Sequence, residues 1–295
     1  MSEEEHQRVF EEKIIPYVFD NVSPPPRGQQ PVAVIFGGQP GAGKSASVKT
    51  AQHEFGAACI NGDEFRDYHK DYSRLMREDD KTAAFYTDRD TGKWIEKAIA
   101  EAKNRGVNVV IEGTMRRPEA VARTMRDFRA AGYKIDARAL AVNSCLSKQG
   151  ILQRYEKQKA DRGAGRMTTH EAHQAACDGM PITLDYIEKE KLSDRISIYR
   201  RGNELVFCNE LKDGKWQKDT PVRKTLESER NRAMTLRECR DYAQGYDTLA
   251  SLLKRPERQA SADEIGRVDA LRRQAKAELT ELAARENPGR KTDRG

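Results

Sequence analysis

The sequence predicts an α/β fold, a parallel sheet covered by helices on both faces, and three observations carry that prediction. Short β-branched or apolar runs alternate with helical stretches from about residue 31 to residue 160, the pattern of repeated strand–helix–strand units. The first run breaks into 37-GGQPGAGKS-45, a glycine loop lying between a strand and a helix start. Beyond about Pro221 the character changes to charge-rich helix, so a folded region over 1–225 and a charged helical extension over 226–295 are expected.

In chain order, Val9, Phe10, Ile14, Ile15, Val18 and Phe19 recur at helical intervals and predict an amphipathic helix over about residues 4–20. Three consecutive prolines in 23-SPPPRGQQ-30 interrupt it. Pro31 to Phe36 reads as a buried strand, with a helix after Lys44. Strands follow at Ala57–Ile60, 107-VNVVIEG-113 and 135-IDARALAV-142, separated by helices near 91–104 and 118–131. A helix over about 145–159 runs into the break 161-DRGAGR-166, and 196-ISIYR-200 with 204-ELVFC-208 reads as a late hairpin. In the extension, Thr235 with Glu238 and Ser261 with Glu264 have capping-box spacing. Ile265, Val268, Leu271, Ala275, Leu279 and Leu282 form one apolar stripe, so two helices joined at 254-KRPERQA-260 are expected. The last residues, 287–295, read as a frayed tail.

Composition narrows the classes. The net charge of +6 favours anionic ligands such as nucleotides, nucleic acid or phosphorylated metabolites, although ordinary surface charge explains that number equally well. A mean hydropathy of −0.86 implies that part of the chain is solvated helix. The five cysteines, Cys59, Cys145, Cys177, Cys208 and Cys239, contain no CxxC pair, which argues against a zinc site or a disulfide framework and fits a reducing cytosol. The N-terminus lacks an apolar leader core and no run reaches membrane-spanning length, so a soluble, cytoplasmic protein without a membrane partner is expected.

The loop carries the first chemistry. Gly38, Gln39, Pro40, Gly41, Ala42, Gly43, Lys44 and Ser45 match G-x-x-x-x-G-K-[ST] completely. Glycines let backbone N–H groups approach an anion, and the helix dipole favours it. Lys44 reaches β- and γ-phosphates, and Ser45 is placed to ligate Mg²⁺. No NKxD-like or DxxG element stands out, and the comparable strand ends in Glu112 rather than in the aspartate of a hydrolytic motor. Hydrolytic motors are thereby disfavoured.

Phosphoryl transfer to a hydroxyl needs a carboxylate near the acceptor and positive charge on the transferring group. Asp63, in 60-INGDEFR-66, follows the second strand at the edge where such sites lie and is the candidate base, with helix capping as its alternative. Glu112, Thr114 and Arg116 cluster at the end of another strand, where substrate orientation competes with a plain strand-to-loop transition. Arg154 on a helix and Arg166 on a loop suit a lid that brings guanidinium groups to the γ-phosphate, although each alone reads equally as surface charge.

Together GGQPGAGKS, NGDEF, VIEGTMR, QRYE and the segment holding Arg166, Met167 and 170-HEAH-173 resemble the zeta toxin family, kinases of bacterial toxin–antitoxin systems that phosphorylate UDP-N-acetylglucosamine. The resemblance spans roughly residues 10 to 225 and implies the P-loop kinase fold. It implies ATP and metal binding by Lys44 and Ser45, and Asp63 as the base for the sugar 3′-hydroxyl. It further implies that Glu96, Glu112 and Thr114 hold the UDP-sugar, and that Arg116, Arg154 and Arg166 complete the substrate and phosphate contacts. A small helical antitoxin is the implied partner. A kinase for another acceptor, such as a nucleic-acid end, a nucleoside or an antibiotic, is the alternative, and a nucleotide-binding regulator that transfers nothing is the second. Nucleic acid is not expected as a partner, because no surface of interleaved aromatic and basic residues stands out. The helical extension is open between inhibition in cis and dimerisation.

Overall fold

A computed structural model describes residues 1–286. Strands β1 (Val32–Gly37), β2 (Ala58–Asn61), β3 (Val109–Gly113), β4 (Lys134–Leu140), β5 (Arg195–Arg200), β6 (Glu204–Lys212) and β7 (Lys215–Trp216) form one sheet in the order β2-β3-β1-β4-β5-β6-β7. The first five in chain order pair in parallel, and β6 and β7 add antiparallel. Along the central strand β1, Ala33 and Ile35 point into one hydrophobic core while Val34 and Phe36 point into another on the opposite face. Both faces are therefore dry, as a parallel sheet requires.

The helices are α1 (Glu3–Val9), α2 (Ile15–Phe19), α3 (Lys44–Phe55), α4 (Gly62–Phe65), α5 (Tyr72–Glu78), α6 (Ala83–Arg105), α7 (Pro118–Ala130), α8 (Ser144–Arg162), α9 (His170–Lys189), α10 (Val222–Asn231), α11 (Leu236–Leu253) and α12 (Ala262–Glu286). The single helix expected over 4–20 is split by a π-helical turn at Phe10–Ile14, just before Pro16, which has no N–H for the regular ladder. Its apolar face survives the irregularity, since Phe10, Ile14, Val18 and Phe19 are all buried. Helix α6 starts eight residues earlier than expected and buries Trp94 completely.

Helix α9 has no counterpart among the elements expected from sequence. Gly179 and Pro181 interrupt its pattern, and both residue types normally argue against a helix interior. Tertiary contact explains the glycine, because a Cβ at Gly179 would overlap the backbone carbonyl of Arg116. Helix α10 straddles the compositional boundary at 225/226. Its Val222 and Leu226 lie in the core beneath the sheet, and α10 packs on α9 and β5.

Beyond it, α11 and α12 form the expected hairpin. Both capping boxes are present: Thr235 and Glu238 cap α11 reciprocally, and Ser261 N donates to Glu264 Oε2 at 2.9 Å while Glu264 N donates back to Ser261 Oγ at 3.2 Å. Val268 and Ala275 of the apolar stripe are buried, with Ile265 and Leu279 packed beside them, whereas Leu271 stays exposed. The tail expected at 287–295 lies outside the described residues. Among the described residues no helix is long and apolar enough to cross a membrane.

Candidate active site

The glycine loop leaves β1 at the carboxyl end of the sheet and enters α3 at Lys44. Gly41 and Gly43 adopt φ of 75° and 87°, values that side chains other than glycine's resist. Space is as tight as conformation: a Cβ on Gly41 would overlap the carbonyl of Ser147, and one on Gly150 of α8 would overlap the carbonyl of Gly41. At the strand end a Cβ on Gly37 would strike Met115, itself buried and held at a φ of 51°. Gln39 is fully buried and donates through Nε2 to Val142 O at 2.6 Å. Lys44 curls back, donating from Nζ to Gly38 O at 2.9 Å, with Glu112 at 3.7 Å.

Glu112 pairs in register with Asn61 across β3 and β2, and Asn61 Nδ2 donates to Glu112 Oε2 at 3.1 Å. Asn61 also caps α4 by accepting from Asp63 N at 3.0 Å. The capping role thus belongs to Asn61, which leaves the Asp63 carboxylate free to face the cleft. There Arg166 grips it through both guanidinium nitrogens, the second contact at 2.6 Å. Arg66 approaches it at 3.8 Å while anchored on Ala84 O at 2.6 Å and Thr87 Oγ1 at 2.7 Å.

The loop carrying Arg166 is tied down at three points. Gly165 N donates to Asp80 Oδ2 at 3.2 Å, Arg166 N to Gln158 Oε1 at 2.8 Å, and Arg154 to Thr168 Oγ1 at 2.7 Å. Asp80 in turn accepts from Tyr155 OH at 3.0 Å. A loop expected to be a lid is, in this conformation, latched to α8 and to the turn between α5 and α6.

Electrostatics show which groups share the cleft. Burial draws Lys44 below its ordinary pKa; Glu112 and Asp63 oppose that, and the positive charges of Arg154 and Arg166 add to it. Burial, reinforced by repulsion from Arg166, pulls Arg154 down to about 10, and its Nε is buried without a partner. Burial raises Glu112 against the pull of Lys44. Burial also pushes the Asp63 carboxyl up, but Arg166, with Arg154 and Arg66 behind it, more than offsets this and holds it below the usual carboxylate value. Three desolvated cations thus face two carboxylates, and such a pocket favours an anionic guest.

A family model described as Zeta toxin matches residues 18–213. The chain belongs to the Zeta toxin family. Toxin PezT of Streptococcus pneumoniae serotype 4 is 30% identical over 182 residues, covering 61% of this chain and 72% of that protein. Among solved structures, one chain from the PezAT chromosomal toxin–antitoxin system of the same pathogen superposes with a TM-score of 0.74 at 24% identity, covering 86% of this chain and 99% of its own. A chain of the AvrRxo1-ORF1:-ORF2 structure with ATP superposes at a TM-score of 0.52 and 14% identity, over 95% of this chain and 89% of that one. The fold is that of a P-loop-type kinase.

Within this Zeta toxin family member the structure brings Lys44, Asp63, Glu112, Arg154 and Arg166 together. It does not tie Glu96, Thr114 or Arg116 to that cluster. Glu96 and Arg116 are exposed and Thr114 is half-buried just past β3, and none of the three has a side-chain hydrogen bond among the described residues. Sequence reasoning missed Asn61, Arg66 and Asp80, which contact Asp63 and the loop carrying Arg166, and Arg230, which donates to Gln39 Oε1 at 2.9 Å from α10. Only Asn61 left a local signal, an Asx residue two positions before Asp63 at a strand-to-helix junction.

Proposed function

We propose that the chain is an ATP-dependent kinase that phosphorylates the 3′-hydroxyl of UDP-N-acetylglucosamine or a related UDP-sugar, acting in the cytoplasm as the toxin of a toxin–antitoxin pair. The observation that carries this reading is the cleft in which Lys44, Arg154 and Arg166 surround Asp63 and Glu112. Family membership supports the kinase class, and the neighbour solved with ATP supports the nucleotide. The solved PezAT toxin–antitoxin system supports an antitoxin partner, which we take to be small and helical.

In the reaction, free backbone N–H groups of the glycine loop, that of Gly43 among them, and the Lys44 ammonium hold the β- and γ-phosphates, and Arg154 and Arg166 neutralise the γ-oxygens. Asp63 accepts the proton of the acceptor hydroxyl as its oxygen bonds to the γ-phosphorus. The bond from that phosphorus to the β–γ bridging oxygen breaks, and ADP leaves with that oxygen. Glu112 and Thr114, with Glu96 and Arg116 at the rim, orient the UDP-sugar. Since Arg166 occupies Asp63 in the free chain, the γ-phosphate must draw this guanidinium away before the base can act.

Among the described residues no three His, Cys, Asp or Glu side chains gather around a cation position, and Ser45 stands exposed in the first turn of α3. That set fits Mg²⁺, which takes most of its oxygens from phosphates and water. Ser45 would hold it, and its charge would offset that of the β- and γ-oxygens.

The test is a mass spectrum of UDP-N-acetylglucosamine incubated with ATP, Mg²⁺ and purified protein, beside Asp63→Asn. A product one phosphate heavier, lost with the variant, is expected. Transfer instead to another UDP-sugar, a nucleoside or a nucleic-acid end would replace the proposed acceptor, and ATP binding with no transfer to any would leave a regulator.

A further inference from the structure

One arginine touches the phosphate loop from outside the cleft. Arg201 lies in the tight turn between β5 and β6. Its Nε donates to Ala42 O at 3.1 Å, and its terminal nitrogen donates to Gly41 O at 2.7 Å and to Leu146 O at 2.9 Å. Among the described residues no carboxylate pairs with it, and burial alone draws its pKa down. All three bonds go to neutral carbonyls, two of them on the phosphate loop itself, so this guanidinium is engaged in setting loop geometry and not in an ion pair. Gly43 lies beside it, where a Cβ would come within 3.7 Å of Arg201 Nε.

We propose that Arg201 is the positioning residue that turns the peptide planes of the phosphate loop, so that the loop's N–H groups face the nucleotide with a positive charge behind them. A trans peptide holds its C=O and the next N–H in one plane, pointing in opposite directions. Capturing the carbonyls of Gly41 and Ala42 on the outer side therefore aims the N–H groups of Ala42 and Gly43 inward. The Ala42 N–H is taken by Gln39 O at 3.1 Å, which closes the loop's own turn. The Gly43 N–H has no protein partner among the described residues and is the donor left for phosphate. Helix α8 completes the clamp: Leu146 O shares the guanidinium, and Gly150 lies against the Gly41 carbonyl that Arg201 holds. The arrangement contacts neither Asp63 nor the acceptor side, so Arg201 acts on nucleotide affinity and not on proton transfer.

This inference rests on the ATP-dependent reading above, and calorimetric titration of the full chain with ATP and Mg²⁺, without acceptor, separates the two. For Arg201→Ala the ATP Kd should rise at least tenfold, and KM for ATP should rise with it, while KM for the UDP-sugar and the thermal midpoint stay close to the parent's. Arg201→Lys keeps the charge but loses the fork that spans three carbonyls, and should bind ATP with an affinity between the two. A folded Arg201→Ala protein with an ATP Kd within twofold of the parent's would overturn the inference, as would equal losses in both KM values. A parent chain that binds no ATP would overturn the kinase reading and this inference together.

Discussion

Two carboxylate–guanidinium forks in this molecule share their chemistry and differ in almost everything else. Asp63 and Arg166 meet in the cleft, where the Asp63 side chain is still 44% exposed and Arg166 has further carboxylate and cationic neighbours. Glu156 and Arg258 meet at 2.6 and 3.0 Å on the far face of α8, with side-chain exposures of 7% and 9%. The second pair fastens the α11–α12 hairpin to the kinase. Around it Gln149 donates to Tyr242 O at 2.6 Å, Gly245 packs where a side chain would strike Gln149 and Gln153, and Leu146 and Leu152 join the hairpin's apolar cluster. One face of α8, through Ser147, Gly150, Arg154 and Tyr155, meets the phosphate loop and the loop carrying Arg166; the other, through Gln149, Gln153 and Glu156, carries the hairpin. An ion pair open to a cleft crowded with other charges can exchange partners, whereas one walled in on all sides is permanent.

The largest effect should come from breaking the open pair. Arg166→Ala should lower kcat about a thousandfold, the range of an arginine that stabilises transferring phosphoryl charge. With Arg166 gone, Asp63 loses the main charge that holds its carboxyl down, and its pKa rises. The acid limb of the kcat/KM profile should then move to higher pH, as pH-dependent assays would read. Next, Arg258→Ala leaves Glu156 buried without its partner and should cost about 3 kcal/mol of stability, seen in denaturant unfolding with ATP affinity measured alongside. Changing Glu156 and Arg258 together to Met should recover most of that loss.

A smaller, pH-dependent effect belongs to the hairpin's caps. The Arg232 hydrogen bond holds Glu238 at about 2, and the Ser261 backbone, helped by Arg258, holds Glu264 at about 2. Both lie below the unfolded value near 4.5, so their contribution is whole above about pH 4.5 and is lost as pH falls toward 2. Amide-exchange protection factors in α11 and α12 should fall as pH drops through that window, and Glu238→Gln should flatten the dependence. The smallest effect should be that of Arg74→Ala, which removes an exposed pair with Glu78 on α5 and should change stability by less than about 0.5 kcal/mol.

The site was legible where its signal is local. The phosphate loop, the acidic residue after β2 and the strand ending in Glu112 are contiguous motifs, and each lies at the sheet's carboxyl edge because strand–helix alternation dictates that edge. The same holds for the capping boxes at Thr235 and Ser261, which need only three residues of spacing. Helix α9 was hidden by Gly179 and Pro181, and the glycine's reason is the packed backbone of Arg116, more than sixty residues earlier in the chain. Helix capping stood in the sequence as the alternative role of Asp63, and only hydrogen-bond geometry gave the cap of α4 to Asn61 and freed Asp63.

By itself, then, the sequence determined the alternation of strand and helix, the glycine loop, and the residue types able to hold phosphate and accept a proton, because these depend on periodicity, backbone freedom and short-range capping. Tertiary structure alone decided that Arg166 latches onto Asp63, that Arg201 and Arg230 brace the phosphate loop from the β5–β6 turn and α10, and that the charged hairpin docks on the back of α8. Each of those pairings joins residues far apart in the chain, 93 positions between Gln149 and Tyr242 and 191 between Gln39 and Arg230, and no local pattern encodes which distant charge a guanidinium will meet. That is settled by which faces the sheet and its helices bring together, and by the cost of leaving a buried charge alone.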